Sequence, residues 1–121
     1  MSEKTINVLI IVDTYATVNG TTTVYMVDDN GDASQGSREL NIQCEVGDTI
    51  NWFVTSILPT WGCVLTEFTP EGGTSVMNPI NENGVWTAYV SGTGTNVPYT
   101  FTFTINGQPG TYTWDPYITV T

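Results

Sequence analysis

Histidine is absent from this sequence of 121 residues. Its absence removes the commonest general base of enzymes, the Ser-His-Asp and Cys-His nucleophile systems, and most zinc and copper sites. We therefore expect a protein that is not an enzyme and that carries no cofactor, with a weakly bound calcium ion as the one exception considered below.

Positive charge is nearly as scarce as histidine. Lys4 and Arg38 are the only bases beside 12 acidic residues, and the formal net charge is −10. Binding to a phosphate backbone requires clustered Lys and Arg, so nucleic acid is not an expected partner. The negative charge either attracts cations and basic partners or forms a solvated surface without a partner.

The sequence also lacks a long apolar run and a recognisable targeting signal. The apolar stretch from Ile6 to Val12 is too short to span a bilayer, and the first five residues lack the features of a signal peptide. We predict a cytoplasmic protein without membrane insertion. Cys44 and Cys63 would then be reduced, and their alternation with apolar neighbours predicts buried structural thiols rather than a disulfide or a reactive thiol.

Strand patterns dominate what is present. Residues 97–105 alternate apolar and Thr side chains with a period of two, and residues 110–120 return after a Gly-containing turn. The returning strand should break at Asp115-Pro116, because proline cannot donate to a central ladder. Seven to eight such strands and no amphipathic helical period predict an all-β fold. Its expected form is a single-domain antiparallel β-sandwich over residues 1–121, of Greek-key or jelly-roll type.

Two segments are predicted to be irregular. Residues 14–21 read as a loop, with Asn19-Gly20 as its turn. Residues 69–84 are rich in Pro, Gly, Asn and Thr, and are expected to form a long excursion with a short strand near Val76.

The first candidate site is the acidic turn formed by Asp28, Asp29, Asn30, Gly31 and Asp32. Its density of oxygen atoms suggests a weak calcium site at Asp28, Asp29 and Asp32, although the EF-hand spacing is not met. The alternative is an ordinary exposed turn, since Asp, Asn and Gly are the residues that turns prefer.

Aromatic residues form the second candidate site. Sugar-binding modules place exposed aromatic faces beside Asp, Asn and Gln, and Trp61 and Trp86 flank predicted loops where they could form such a platform. Trp52 lies in the middle of a predicted strand and is assigned to the core. Filling the core is the alternative role for each of these side chains.

Asp115 is the third candidate, because the following proline holds its backbone in an extended conformation. Its carboxylate either braces backbone N–H groups at a strand crossing or faces a ligand together with Asp13. Glycosidase chemistry would require two acids at a defined separation in a cleft, and the sequence does not show such a pair.

Several segments resemble, in order along the chain, the AidA/PixA family of bacterial inclusion-body proteins. They are the strands beginning at Ile6, Val24 and Gln35, the Gly47-Asp48…Trp52 segment, and the terminal strands with the triplet Trp114-Asp115-Pro116. The resemblance implies a cytoplasmic protein that accumulates to a high level, sometimes in inclusions, in bacteria that associate with hosts. It implies no catalytic residues.

Three functions follow as hypotheses from these observations. The first is a ligand-binding, lectin-like protein with carbohydrate as its partner, in which Asp13, the acidic turn, Trp61, Trp86 and Asp115 contribute to the site. The second is a structural or storage protein that assembles as a homo-oligomer through its uncharged strand edges. The third is a carboxylate-based hydrolase, which the lack of histidine makes the weakest of the three.

Overall fold

The computed structural model describes residues 3–32, 34–71 and 76–121. In chain order, the elements are β1 (Thr5–Val12), α1 (Thr14–Val18), β2 (Val24–Asp28), β3 (Asn41–Cys44), β4 (Thr49–Ser56), β5 (Cys63–Pro70), β6 (Ile80–Glu82), β7 (Val85–Tyr89), β8 (Gly94–Ile105), β9 (Tyr112–Trp114) and β10 (Tyr117–Val120).

The strands form two sheets that pack face to face. One sheet has the order β2-β1-β4-β7-β6, and the other has the order β3-β10-β8-β5 with β9 also paired to β8. The prediction of an all-β sandwich is therefore confirmed. Two pairs, β1 with β4 and β3 with β10, are parallel, so the sheets are mixed rather than purely antiparallel as predicted. Each of these pairs joins strands that are distant in sequence, where no hairpin turn fixes the direction.

Alternating side chains of both sheets build the core. On β8, Tyr99, Phe101, Phe103 and Ile105 are buried while the intervening Thr side chains stay partly exposed, as the period of two predicts. Trp52 of β4 is fully buried and donates its indole N–H to the Tyr99 hydroxyl at 3.3 Å, which confirms its assignment to the core. Burying side chains of this size contributes roughly 1.5–3 kcal/mol each.

The terminal hairpin forms with the predicted interruption. Strand β9 pairs Trp114 with Phe101, and β10 pairs Tyr117 with Pro98, so the register against β8 is the same on both sides of the break. Within the break, the Pro116 carbonyl still accepts a hydrogen bond from the Tyr99 N–H at 3.0 Å. The proline therefore removes one donor from the ladder without shifting the strand.

Both predicted irregular segments contain regular structure. The helix α1 lies where a loop was predicted, and its five residues are too few to show a helical period in the sequence. In the second segment, β6 forms a hairpin with β7 through Asn83 and Gly84, both at positive φ, as a tight type I′ turn requires. Near Val76, Met77 forms an isolated bridge with Val90, and residues 72–75 lie outside the described part.

Both cysteines are free thiols, as predicted. Cys44 is buried and Cys63 is half-buried. Burial raises the pKa of the Cys44 thiol to about 12, with a further contribution from the nearby Asp48 charge, and burial raises the pKa of Cys63 to about 11. Both side chains therefore stay protonated at neutral pH and are poor nucleophiles.

Candidate functional site

The acidic turn, residues 28–32, connects β2 to the segment that precedes β3. Its Asp29 carboxylate accepts two hydrogen bonds from Asn7 on β1, from the backbone N–H and from the side-chain amide, each at 2.8 Å. These bonds favour the ionised form and lower the pKa of Asp29. Asp29 thus ties the turn to the neighbouring strand.

Asn30 and Asp32 tie the same turn to β3. The Asn30 side-chain N–H group donates to the Gln43 carbonyl at 2.7 Å and to the Asp32 carboxylate at 3.1 Å. Asp32 is 8% exposed and also accepts from the Gln43 N–H at 3.3 Å. The side chains of the turn are therefore largely occupied in holding two strands together.

The turn also contains an electrostatic conflict between Asp28 and Asp32. One oxygen of the Asp28 carboxylate, Oδ2, is buried and has no hydrogen-bond partner in the described structure. Burial raises the pKa of Asp32 to about 6, and so does Asp28, which can share a proton with Asp32 and which repels its charged form. Two carboxylates cannot hydrogen-bond each other unless one is protonated, which explains the unpaired oxygen.

Calcium binding by Asp28, Asp29 and Asp32 stays a prediction. Among the described residues, no group of three or more His, Cys, Asp or Glu side chains is arranged to hold a metal ion. Asp29 is turned towards Asn7, whereas Asp28 and Asp32 are directed towards each other.

The two candidate tryptophans lie in different places, and neither forms an open platform. Trp86 is in β7, half-buried, and its indole N–H donates to the Leu65 carbonyl on the opposite sheet at 3.0 Å. Its ring packs 5.2 Å from that of Phe68. Trp61 precedes β5 and packs half-buried against the core. Both side chains therefore serve the packing between sheets.

Asp13 and Asp115 are not brought together by any hydrogen bond. Asp13 is the N-cap of α1, and its carboxylate accepts from the Ala16 N–H at 3.0 Å. Asp115 lies exposed between β9 and β10, and within the described residues its carboxylate accepts no hydrogen bond. The brace expected at Asp115 is thus not formed. Its conformational restriction comes from Pro116, which is buried.

Two adjoining cavities open beside the break between β9 and β10. The first has a volume of about 600 Å³ and is lined by Ser37, Arg38, Glu39 and Trp114. The second has a volume of about 410 Å³ and is lined by Glu39, Asn41, Asn96 and Tyr117. Because Glu39 lines both cavities, we treat them as one feature and call it the amide–aromatic cleft.

The topology explains why a cleft forms here. Strand β3 begins at Asn41 and pairs with β10. Among the described strands, it does not pair with β9, which lies on the other side of the break. The chain before β3 instead passes Trp114, whose indole N–H donates to the Arg38 carbonyl. Trp114 and Tyr117 consequently lie on either side of the interruption, with the exposed Asp115 between them in sequence.

The floor of the second cavity is an amide network. Asn41 donates its side-chain N–H to the Asn96 side-chain oxygen at 2.7 Å and accepts from the Thr119 hydroxyl at 3.1 Å. Asn96 adopts a left-handed backbone with φ of 49°, and its backbone N–H donates to the same hydroxyl at 3.0 Å. These bonds fix the two amide groups in place.

Several polar groups of the cleft have no partner among the described residues. They are the Glu39 carboxylate, the Tyr117 hydroxyl, the Asn96 side-chain nitrogen and all but one of the N–H groups of the Arg38 guanidinium. The Ser37 hydroxyl, which also lines the cleft, is buried without a partner. The cleft therefore presents the hydrogen-bonded Asn41 and Asn96 amides and the exposed Arg38 and Glu39 side chains beside two aromatic rings.

Of the candidates named from the sequence, only Asp115 is next in sequence to a residue that lines this cleft, Trp114. Ser37, Arg38 and Glu39 lie in a segment without strand periodicity, and Asn96 lies near the start of β8. The lining residues come from three separated segments, residues 37–41, Asn96 and residues 114–117, and the pairing of β3 with β10, which brings the first and the last together, is parallel. The break at Asp115-Pro116 is the one signal in the sequence that marks the place.

These features define the class of the protein as a mixed β-sandwich with an open polar and aromatic cleft at an interrupted strand. A family model described as "Domain of unknown function (DUF8788)" matches residues 4–111, and the chain belongs to that family. The match includes Arg38, Glu39, Asn41 and Asn96, whereas Trp114 and Tyr117 follow it. No curated protein matches the sequence. Within the described residues, no helix is long and apolar enough to cross a membrane.

Proposed function

We propose that this protein is a non-enzymatic, lectin-like protein that binds carbohydrate in the amide–aromatic cleft. The observation that supports this proposal most strongly is the set of unpartnered polar groups beside Trp114 and Tyr117. Sugars present hydroxyl groups to such donors and acceptors and apolar ring faces to aromatic side chains. The site thus differs from the one expected from the sequence, while the class of ligand is the same.

The composition of the cleft supports binding rather than hydrolysis. Glu39 is the one carboxylate that lines either cavity. Glycosidases need a second acid placed across the scissile bond, and hydrolysis by a nucleophile–histidine pair is excluded because the sequence contains no histidine.

The resemblance to the AidA/PixA inclusion-body proteins adds a cellular setting to this proposal. It supports a bacterial cytoplasmic protein that accumulates, sometimes in inclusions, during association with a host. Carbohydrate binding and accumulation are compatible, because the cleft lies at one place on the surface and leaves other strand edges uncovered.

Self-association is the second candidate function, and the free edge of β5 favours it. Strand β5 ends its sheet, and Val64 on this strand is 56% exposed. A bulge between Leu65 and Glu67 interrupts the edge, and the net charge of −10 opposes close approach of two copies at low salt. Sedimentation at increasing concentration and at two salt concentrations tests this candidate; a monomer under all conditions would exclude it.

The lectin-like proposal is tested by a glycan array followed by titration of the best ligand, with calcium and with a chelator. We expect binding of at least one glycan class with a Kd in the micromolar to millimolar range, without a calcium requirement. Backbone amide shifts should locate the ligand at residues 37–41 and 114–117. Absence of binding to every glycan at millimolar ligand would exclude the proposal.

A matched pair of variants then assigns the site. Asn41→Leu removes a fixed amide from the cleft, whereas Asn51→Leu removes a similarly half-buried, hydrogen-bonded amide from the other sheet. We expect Asn41→Leu to weaken binding at least about tenfold, a cost typical of losing one or two polar contacts. Asn51→Leu should leave affinity unchanged, and melting curves should verify that both variants are folded.

A further inference from the structure

Arg38 is one of the two bases in the sequence, and it lies in the amide–aromatic cleft. Its guanidinium carbon is 5.2 Å from the centroid of the Trp114 ring, and one N–H group donates to the Thr22 carbonyl at 3.2 Å. The ring and the carbonyl hold the cation from two sides. The side chain is therefore oriented before any ligand arrives.

No carboxylate neutralises this cation within the part of the chain that the structure describes. The guanidinium contacts only Thr22 and Trp114, although the sequence contains 12 acidic residues and Glu39 is the next residue along the chain. Arginine carries five N–H donors in a rigid fork that matches a carboxylate with two parallel hydrogen bonds. Four of these donors have no acceptor in the described structure.

We propose that the ligand of the cleft is an acidic sugar whose carboxylate is bound by Arg38 beside Trp114. This inference rests on the proposed carbohydrate-binding function and names its ligand class. The sugar hydroxyls would then extend towards Glu39, Asn96 and Tyr117, whose polar groups accept and donate hydrogen bonds to neutral groups.

Charge elsewhere on the molecule makes this arrangement selective. Glu39 lines both cavities and repels an anion in either, whereas Arg38 lines only the first, so a carboxylate is favoured at the Arg38 end of the cleft. The net charge of −10 repels acidic glycans from the rest of the surface, and at physiological salt this repulsion fades beyond roughly 8 Å. A single fixed cation in an acidic protein therefore defines one site for an anionic sugar.

The test compares methyl glucuronoside with methyl glucoside, in which a hydroxymethyl group replaces the carboxylate. Calorimetric titration of the wild-type protein should show preference for the glucuronoside. Arg38→Gln should lower its affinity by about 10- to 100-fold, the range for a charged hydrogen-bonded pair, and leave glucoside affinity within about twofold. Arg38→Lys should recover part of the loss, because lysine restores the charge without the fork.

Lys4→Gln is the matched control, since it removes the only other base, which lies outside the cleft. It should leave the preference for the glucuronoside unchanged. Equal affinity of the wild type for both sugars would overturn this inference, and so would loss of the preference for the glucuronoside in both Arg38→Gln and Lys4→Gln. The proposed carbohydrate binding would stand in either case. Binding of neither sugar, together with no other glycan on the array, would overturn the proposed function itself.

Discussion

The acidic turn and the amide–aromatic cleft lie at the two ends of one segment, residues 28–41, and differ in how their polar groups are used. In the turn, Asp29 is bonded to Asn7, and Asn30 and Asp32 are bonded to Gln43. In the cleft, the Glu39 carboxylate and the Tyr117 hydroxyl have no partner among the described residues. A density of acidic residues in the sequence thus identifies a structural junction, whereas the groups available to a ligand lie at residues 37–41 and at Asn96, Trp114 and Tyr117.

The largest effect is expected from a substitution that removes hydrogen bonds of the acidic turn. Asn30→Asp replaces the side chain that donates hydrogen bonds to the Gln43 carbonyl and the Asp32 carboxylate with a fourth carboxylate in the turn. We expect the free energy of unfolding to fall by about 2–3 kcal/mol, because hydrogen bonds to a carbonyl and a charged group are lost and a buried repulsion is added. Urea denaturation at pH 7 measures this change.

Asn106→Asp is its control, since it adds the same charge in an exposed turn where the side chain has no hydrogen bond. Its stability should change by less than about 0.5 kcal/mol. Asn30→Asp also adds a carboxylate to the turn, which favours calcium binding there over the wild type. Full recovery of stability in millimolar calcium would therefore contradict the structural role of the turn.

The predictable part of the fold is the part set by local patterns. Alternation along β8 places Tyr99 and Phe103 in the core, and Pro116 marks the break in the last strand. The Asn83-Gly84 dipeptide also favours the positive φ values that a two-residue turn needs. The strand before it, β6, shows no period of two, because it has only three residues and all of them are exposed.

The parts that could not be predicted depend on contacts between distant segments. The pairing of β3 with β10 joins Asn41 to Tyr117, and no local pattern in either strand specifies that partner or its parallel direction. The cleft depends on this pairing and on its end at the proline break. Similarly, the exposure of a tryptophan depends on the opposite sheet, as the bond from Trp86 to Leu65 demonstrates.

A second prediction uses pH to separate the two regions. The pKa of Asp32 is raised from 3.8 to about 6 in the folded protein, so its contribution to stability is complete below about pH 4 and is lost as the pH rises through 6. Asp32→Asn keeps an acceptor for Gln43 and provides a donor for Asp28. It should therefore be more stable than the wild type by about 1 kcal/mol at pH 7.5, with no gain at pH 4.

Thermal unfolding of both proteins between pH 4 and pH 8 measures this difference. Asp115→Asn is the control, because it removes an equal charge from an exposed carboxylate with no hydrogen bond. Its stability should differ from that of the wild type by less than about 0.5 kcal/mol, as expected for an exposed side chain without a hydrogen bond. A gain for Asp32→Asn that is the same at pH 4 and pH 7.5 would show that the conflict between Asp28 and Asp32 does not exist.

The smallest effect is expected from deleting a single hydroxyl group of the cleft, which tests whether the cleft is the binding site. Tyr117→Phe removes a hydroxyl that has no partner among the described residues, so stability should change by less than about 0.5 kcal/mol. If that hydroxyl bonds a sugar, affinity should fall about 2- to 10-fold, which corresponds to one neutral hydrogen bond. Tyr112→Phe makes the same change on β9 outside the cleft, where the ring stacks on Phe103 at 5.5 Å, and should leave affinity unchanged. A hydroxyl deletion that weakens binding without affecting stability would separate the cleft, as a binding surface, from the acidic turn, whose side chains hold two strands together. An equal loss of affinity in both tyrosine variants would instead show that binding depends on general packing of this hairpin.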